Sequence, residues 1–449
     1  MSEVNQVDIV IVGAGLSGLA AALELSKKKY SFVVLEARNR PGGRIDSFTD
    51  NGFGFDLGAQ WISSFHSRMK QLINEYNLKT ITTNQKGKSI YEQRGRIKKI
   101  SGFFSPVSRL ALLDLFKIKR KINQLIKQLP IEDPWESDLG QDLDKITIQD
   151  FINTYMFTEE GKMFFALLTE KEMSTKLENV SALDFLWFVK SAGGVNQLLS
   201  AEQMWIEQGA AMLVERMTER IQSHILYNRP VNKIEYESDR AIITSHDDKW
   251  QSKKVIVTVP PNIVQRITFE PRLPEIRREL QSYADFPYVI KIVVIYDYPF
   301  WREDGLNGSL LSDQGPISLT MDSSPDDESL GVLTVLIGGD NAQIFSKMGG
   351  SYRRQETIKS LVRFFGKKAA SPLHLFEKDW SEEKWTGGGF GSHFPPGILT
   401  KYGRALSEPI GPIYWAGTET ATEWRLYMEG AVQSGQKAVD AVLASLKYN

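Results

Sequence analysis

The stretch Asp8–Arg44, DIVIVGAGLSGLAAALELSKKKYSFVVLEARNRPGGR, constrains the fold of this chain more than any other. It opens on a short β-branched run, Ile9-Val10-Ile11-Val12, of the kind buried on both faces of a parallel sheet. The run breaks into Gly13-Ala14-Gly15-Leu16-Ser17-Gly18, and the Ala- and Leu-rich segment Leu19–Lys28 predicts a helix. A second apolar run, Phe32–Leu35, ends on Glu36. The pattern is a βαβ unit with GxGxxG at its first turn and an acid about twenty residues further on. Gly13 permits the tight turn, Gly15 lets the backbone approach a pyrophosphate, and Gly18 lets helix and strand pack closely. The turn around Ser17 opens the helix, whose free N–H groups and dipole favour phosphate, while Glu36 is placed to accept hydrogen bonds from a ribose. By itself this unit does not separate NAD from FAD.

The remaining composition narrows the class. A chain of 449 residues suggests two or three domains, at about 150 residues each. A net charge of −1 gives no global attraction to nucleic acid or an anionic membrane, so neither is expected as a partner. There is no cysteine, which excludes disulfides, thiolate metal sites and a thioether tether to a cofactor. His66, His224, His246, His374 and His393 are scattered without ligand spacing, so no metal is expected. MSEVNQ lacks a basic leader region. No apolar run approaches the roughly 18 residues of a membrane span, and a cytoplasmic protein is the expectation.

Further along, Pro41-Gly42-Gly43-Arg44 offers flexible backbone beside a guanidinium, suited to a second approach to a pyrophosphate. In Asp56-Leu57-Gly58-Ala59-Gln60-Trp61, small residues let a flat group lie on the backbone, with Gln60 able to hydrogen-bond nearby. Ser67–Tyr76 predicts a helix, and 79–100 predicts short strands around a turn at Gln93–Arg96. Leu110–Leu129, Ile148–Tyr155, Glu159–Leu168 and Ala182–Val189 all carry helical periodicity. Then follow a helix at Ala210–Ile221 and strands at Ile225–Tyr227, Val231–Tyr236, Ala241–Thr244, Val255–Val259, Tyr288–Tyr296 and Val332–Gly338. A helix at Tyr352–Phe365, a strand beginning at Ile413 and a final helix at Met428–Leu446 complete the pattern. Read from its strand alone, Lys291 is an edge lysine that discourages pairing, or one that snorkels to water.

Several segments together resemble the flavin-dependent amine oxidases, most closely the monoamine oxidases. They are VGAGLSGL (12–19), PGGR (41–44), DLGAQW (56–61), SALDFLWFVKSAGG (181–194) and ITFEPRLP (267–274). VIKIVVIYDYPFW (289–301), GGGFGSHFPPGILTKYG (387–403) and IYWAGTETATEWRLYMEGAVQSGQ (413–436) extend the likeness over nearly the whole chain. The resemblance implies an α/β protein in which a Rossmann-like FAD-binding domain (1–79, 205–285, 395–449) is interleaved with an α+β substrate-binding domain of mixed sheet plus helices (80–204, 286–394). It implies that Glu36 holds the adenosine ribose, that Arg38, Gly43 and Arg44 lie near the adenosine and pyrophosphate, and that Val231 meets the adenine through its backbone. Gly58, Ala59, Gln60 and Trp380 would lie against the isoalloxazine, and Gly417 and Glu419 near the ribityl and phosphate region. Met428 would aim its N–H, and the start of the last helix, at the pyrimidine carbonyl of the flavin.

The same resemblance reverses the reading of Lys291, whose counterpart bonds a water bridging to flavin N5. Phe390 and Tyr427 match two aromatic residues that flank the substrate nitrogen; Phe390 departs from the usual Tyr, which implies an altered substrate preference. Gly389 stands where the animal enzymes carry the flavin-bound cysteine, so FAD is expected to be non-covalent. Leu198 and Leu199 match positions lining the substrate cavity, with packing as the alternative reading, and Gln60 faces the same space. The implied reaction is oxidation of an amine to an imine, hydrolysed to an aldehyde, with O2 reduced to H2O2. An L-amino-acid oxidase, for which Arg425 would have to hold the carboxylate, remains an alternative. So do a polyamine oxidase, for which Glu207 and Glu423 cannot be placed, and an oxygen-independent dehydrogenase. The oligomeric state is open, a homodimer being one option.

Overall fold

The computed structural model describes residues 4–50, 53–101 and 107–447, so the first three residues of the N-terminal segment lie outside it. Its frame is two large sheets. In the first, Val4–Val12 pairs in parallel with Phe32–Leu35 on one side and Asp248–Val257 on the other. Ile225–Leu226 and Ile413–Trp415 add further parallel strands, and Ala241–Ser245, Lys233–Tyr236 and Thr268–Glu270 extend the sheet beyond Asp248–Val257. The fully buried run Ile9–Val12 is where the sequence places it. The strand nonetheless begins five residues earlier, because its polar half, from Val4, pairs with Lys249–Ser252. Backbone pairing does not need the apolar pattern that signals it.

The helix of the motif starts at Leu16, three residues before the expected Leu19, and ends at Ser26. The final helix, Met428–Lys447, lies against it so closely that a Cβ on Gly435 would sit 2.1 Å from the Ser17 carbonyl oxygen. Ser17 and Ser434 share a buried hydroxyl contact of 3.0 Å across the same junction. The two ends of the chain thus share one apolar core, in which Leu19, Leu23 and Leu25 meet Val432, Val439 and Val442.

The second sheet has the order His374–Asp379, Val289–Tyr296, Gly331–Gly338, Leu319–Asp322, Leu306–Ser312, Lys88–Gln93, Arg96–Ile100. Its pairs are antiparallel except that of Leu306–Ser312 with Lys88–Gln93. Val289–Tyr296 is buried at every residue and is paired on both sides, Lys291 facing Leu336 and Lys378 across the ladder. Lys291 is therefore neither an edge lysine nor one that snorkels, being only 2% exposed. The helical region forms as expected, at Arg109–Gln128, Ile148–Tyr155, Glu159–Met173 and Ala182–Ser191, around its own apolar core. Among the elements with no counterpart in the sequence expectations are the helix Glu275–Tyr283 and the strands Leu306–Ser312, Leu319–Asp322 and His374–Asp379. The last three contain Asn, Gly, Ser, His, Glu, Lys and Asp at strand positions and take their extended form from pairing with neighbours.

Candidate active site

A cavity of about 460 Å³ runs from Glu36 and Val231 at one end to Lys291, Phe390 and Tyr427 at the other. The glycine turn forms its first wall. Gly13 has φ +103°, and a side chain there would press on the Thr258 hydroxyl at 2.8 Å. Gly18 is not part of the wall; an added Cβ would meet the Gly13 carbonyl oxygen at 2.0 Å, so it serves helix–strand packing. In front of Gly15, by contrast, nothing lies within 4 Å of an added Cβ, which is the open approach a phosphate needs. No side chain caps the helix behind it, and its first turn carries no acid, leaving its N–H groups available. Glu36 is buried, accepting from the Ala14 N–H at 2.7 Å and the Arg38 N–H at 2.8 Å. Arg38 Nε and the Thr386 hydroxyl, both at this wall, are buried without a hydrogen-bond partner, so the cavity has unmet polar capacity beside Glu36.

In the middle of the cavity, Gly42, at φ +101°, and Gly43, at φ +61°, turn the PGGR loop back against Gly15. Arg44 then spans to the far side. Its Nη1 donates to Glu419 at 2.7 Å and to the Phe390 carbonyl at 2.5 Å, and its Nη2 donates to Glu419 at 3.3 Å. Glu419 itself does not line the cavity; it holds the guanidinium that does. Gly417, Ala59, Trp380 and Met428 complete this stretch, with Trp380 donating through Nε1 to the Leu57 carbonyl at 2.7 Å. An added Cβ on Gly58 would lie 2.2 Å from the Arg44 carbonyl and 3.0 Å from Trp380. Met428 begins the last helix, so that helix aims its N-terminus at the cavity.

Lys291 closes one side. Its Nζ donates to the Gly58 carbonyl at 2.9 Å and to Gln60 Oε1 at 2.8 Å, and lies 4.9 Å from the centre of the Trp61 ring. Gln60 is oriented in turn, its amide donating to Ser323 at 3.1 Å. Burial pulls the Lys291 ammonium down to about 8, against the opposing pull of the Asp56 and Glu202 carboxyls. The site therefore holds a buried cation that can lose its proton close to physiological pH.

Phe390 has φ +52°, and Trp424 and Leu426, just before Tyr427, have φ +47° and +71°. Left-handed backbone at such residues costs about 1–3 kcal/mol each and is tolerated where the surroundings enforce it. Here the Arg44 bond to the Phe390 carbonyl, and those of the Trp424 N–H to Ser191 and the Thr418 hydroxyl to the Tyr427 carbonyl, do the enforcing. Tyr427 stacks on Phe188 with centroids 5.8 Å apart.

Leu198 and Leu199 are not brought into the cavity. Leu198 packs among neighbouring helices, and Leu199 is half exposed. Both sit in a four-residue helical turn, Val195–Leu198, or its cap, where only one face meets the core. Arg425 is fully buried and paired with Asp184 at 3.0 Å, also outside the lining, and is not available for a substrate carboxylate. Conversely, Glu172, Phe188, Glu202 and His393 line the cavity without being singled out by the sequence reading, although Phe188 and His393 lie within segments that carry the resemblance. Glu172 stands in the run Glu170-Lys171-Glu172, which reads as a solvated helix face. The Tyr427 hydroxyl makes a short hydrogen bond to its carboxylate.

Comparison with known proteins gives this geometry a family. The model for flavin containing amine oxidoreductases matches residues 16–443. A flavin-containing amine oxidase of Oncorhynchus mykiss is 33% identical over 99% of this chain and 87% of its own length. Human flavin-containing amine oxidase B is 31% identical over 98% and 87%. Among solved structures, wild-type putrescine oxidase bound to putrescine superposes with a TM-score of 0.94 at 28% identity, covering 98% of this chain and 100% of that one. Cyclohexylamine oxidase from Brevibacterium oxydans IH-35A gives 0.92 at 28% identity, covering 98% and 99%. With the glycine turn, the PGGR loop and the C-terminal segment all meeting at one cavity, the chain belongs to the flavin-containing amine oxidoreductases.

Proposed function

We propose that amine oxidation in this FAD-dependent enzyme is carried by Lys291, Phe390 and Tyr427 at one end of the cavity. The buried, doubly hydrogen-bonded Lys291 carries the reading. The walls fit FAD: there is open space at Gly15, unmet polar capacity beside Glu36, and a helix N-terminus at Met428. Glu36, Arg38 and Val231 would hold the adenosine; Gly15, Gly43 and Arg44 the pyrophosphate; Gly58, Ala59, Gln60, Trp380 and Met428 the ring system. When bound, FAD supplies the two-electron acceptor, receiving a hydride equivalent from the carbon bearing the amine. Phe390 and Tyr427 exclude water and position the nitrogen in its neutral form. Lys291 holds a positive charge where O2 takes up electrons and becomes H2O2. Water then hydrolyses the released imine to an aldehyde and ammonia or a smaller amine.

A division into two interleaved units, 1–79, 205–285, 395–449 and 80–204, 286–394, is supported by each holding one of the two large sheets and by the cavity drawing residues from both. Among the described residues no helix is long and apolar enough to cross a membrane.

A panel of benzylamine, tyramine, putrescine, spermidine and leucine tests the reading. Peroxide is expected from amines without a carboxylate and not from leucine, since Arg425 is already paired. Peroxide from leucine alone would favour the amino-acid oxidase, and flavin bleaching without peroxide the dehydrogenase.

The attachment of FAD is a separate expectation. An added Cβ at Gly389 would lie 2.7 Å from the Val289 side chain, and the chain has no cysteine. Acid precipitation should leave the yellow colour in the supernatant; colour in the pellet would mean a covalent link.

A further inference from the structure

Two carboxyls, Glu172 and Glu202, stand in the wall of the reaction cavity beside the proposed catalytic residues. Neither is needed by the chemistry above. Glu172 is engaged by the Tyr427 hydroxyl. The carboxyl of Glu202 makes no hydrogen bond or ion pair among the described residues; only its backbone carbonyl is used, accepting from Thr83 at 2.9 Å. The surface that both residues retain faces a cavity deep enough to desolvate them. Burial, reinforced by Glu172 and opposed by Lys291, pushes the Glu202 carboxyl up to about 8, and burial also raises Glu172. Lys291 offsets this only in part and forms no ion pair with either, its Nζ being bonded to Gly58 and Gln60.

An unpartnered acid held in a desolvating cavity beside a second acid is costly unless a cation arrives. The nitrogen undergoing oxidation cannot be that cation, because hydride leaves its carbon only when its lone pair is free. The charge must sit on a nitrogen that is not oxidised.

We propose that Glu202, backed by Glu172, binds a second ammonium group of the substrate, so that this site takes diamines in preference to monoamines. The inference rests on the amine-oxidase reading above. Glu202 is a specificity residue: its carboxylate accepts hydrogen bonds from the distal ammonium while the proximal nitrogen, neutral, lies against Phe390 and Tyr427. Loss of one carboxylate oxygen from that contact removes a charge-assisted hydrogen bond.

The test uses the holoenzyme with paired substrates, putrescine against n-butylamine and cadaverine against n-pentylamine. Wild type is expected to show the higher kcat/KM for each diamine. In Glu202→Gln the diamine-to-monoamine ratio should fall roughly tenfold or more, the loss typical of a charged hydrogen bond. Glu202→Asp, which keeps the charge, should retain part of the preference and guards against a fold defect, with the flavin spectrum as control. Anaerobic flavin bleaching gives the apparent Kd of each amine and should place the loss in binding. No diamine preference in wild type overturns the proposal while leaving amine oxidation intact. An unchanged ratio in Glu202→Gln also overturns it, including the case where both substrates lose equally because the carboxylate serves the reacting nitrogen. Absence of bleaching by every amine would overturn the amine-oxidase reading itself, and this inference with it.

Discussion

Lys291→Met is expected to slow reoxidation of the reduced enzyme by O2 by about 10²–10³-fold, the range for removing one preorganised charge from a developing anion. Reduction by amine should fall much less. The buried ammonium is held by the Gly58 carbonyl and Gln60 Oε1, so its charge is already oriented when electrons reach oxygen. Methionine fills the space and keeps the strand, since Val289–Tyr296 is otherwise apolar apart from Tyr296. The pH dependence has a defined sign. Burial lowers the ammonium to about 8, so the cation is present below that pH and is lost as pH rises through it. Wild-type reoxidation should therefore decline on the alkaline side of about 8, and the Met variant should show no such decline. Stopped-flow measurement of both half-reactions decides: equal losses in the two would remove Lys291 from the oxygen step.

Arg425→Met is expected to destabilise the holoenzyme by about 3–5 kcal/mol, the cost of leaving one member of a buried ion pair uncompensated. Arg425 and Asp184 are both fully buried, and Asp184 also receives His393 Nδ1 at 2.8 Å. Burial by itself would raise the Asp184 carboxyl, but Arg425 and the His393 bond outweigh it and hold it below the usual value. A depressed carboxyl contributes stability above its unfolded value and loses it as pH falls through the folded one. The difference between wild type and variant should thus be large at neutral pH and narrow on acidification, as Asp184 takes a proton in both. Urea unfolding at several pH values measures this. A difference below about 1 kcal/mol, the median worth of an exposed pair, would mean that the pair carries little. Because His393 lines the cavity, the same substitution should also perturb the flavin environment.

Much of the fold and the cavity is legible in the order of the residues alone. Strands and helices with strong periodicity, such as Val289–Tyr296 and Ile148–Tyr155, lie within a residue or two of expectation. The glycine turn and PGGR are legible for a different reason: each needs a backbone shape or approach that few residues permit, and Gly13, Gly42 and Gly43 show the positive φ that such shapes require. What escapes is whatever depends on a neighbour distant in the chain. The strand His374–Asp379 is extended because Val289–Tyr296 lies beside it. Leu198 and Leu199 fit an apolar substrate wall by type, but a short exposed turn leaves them outside it.

The sequence by itself determined that the first βαβ turn has the form that accepts a dinucleotide, that no thiol can tether a cofactor, and that the chain resembles amine oxidases. Those conclusions rest on residue types that local geometry or covalent chemistry requires, and such requirements are written in order along the chain. Only the tertiary structure decided which charges are buried together. Lys291 became a desolvated central-strand cation rather than an edge residue, Arg425 was committed to Asp184, and Glu172 and Glu202 were brought from surface-like stretches into the cavity wall. Desolvation and Coulomb coupling act through space, between residues such as Lys291, Gln60 and Glu202 that no local pattern joins.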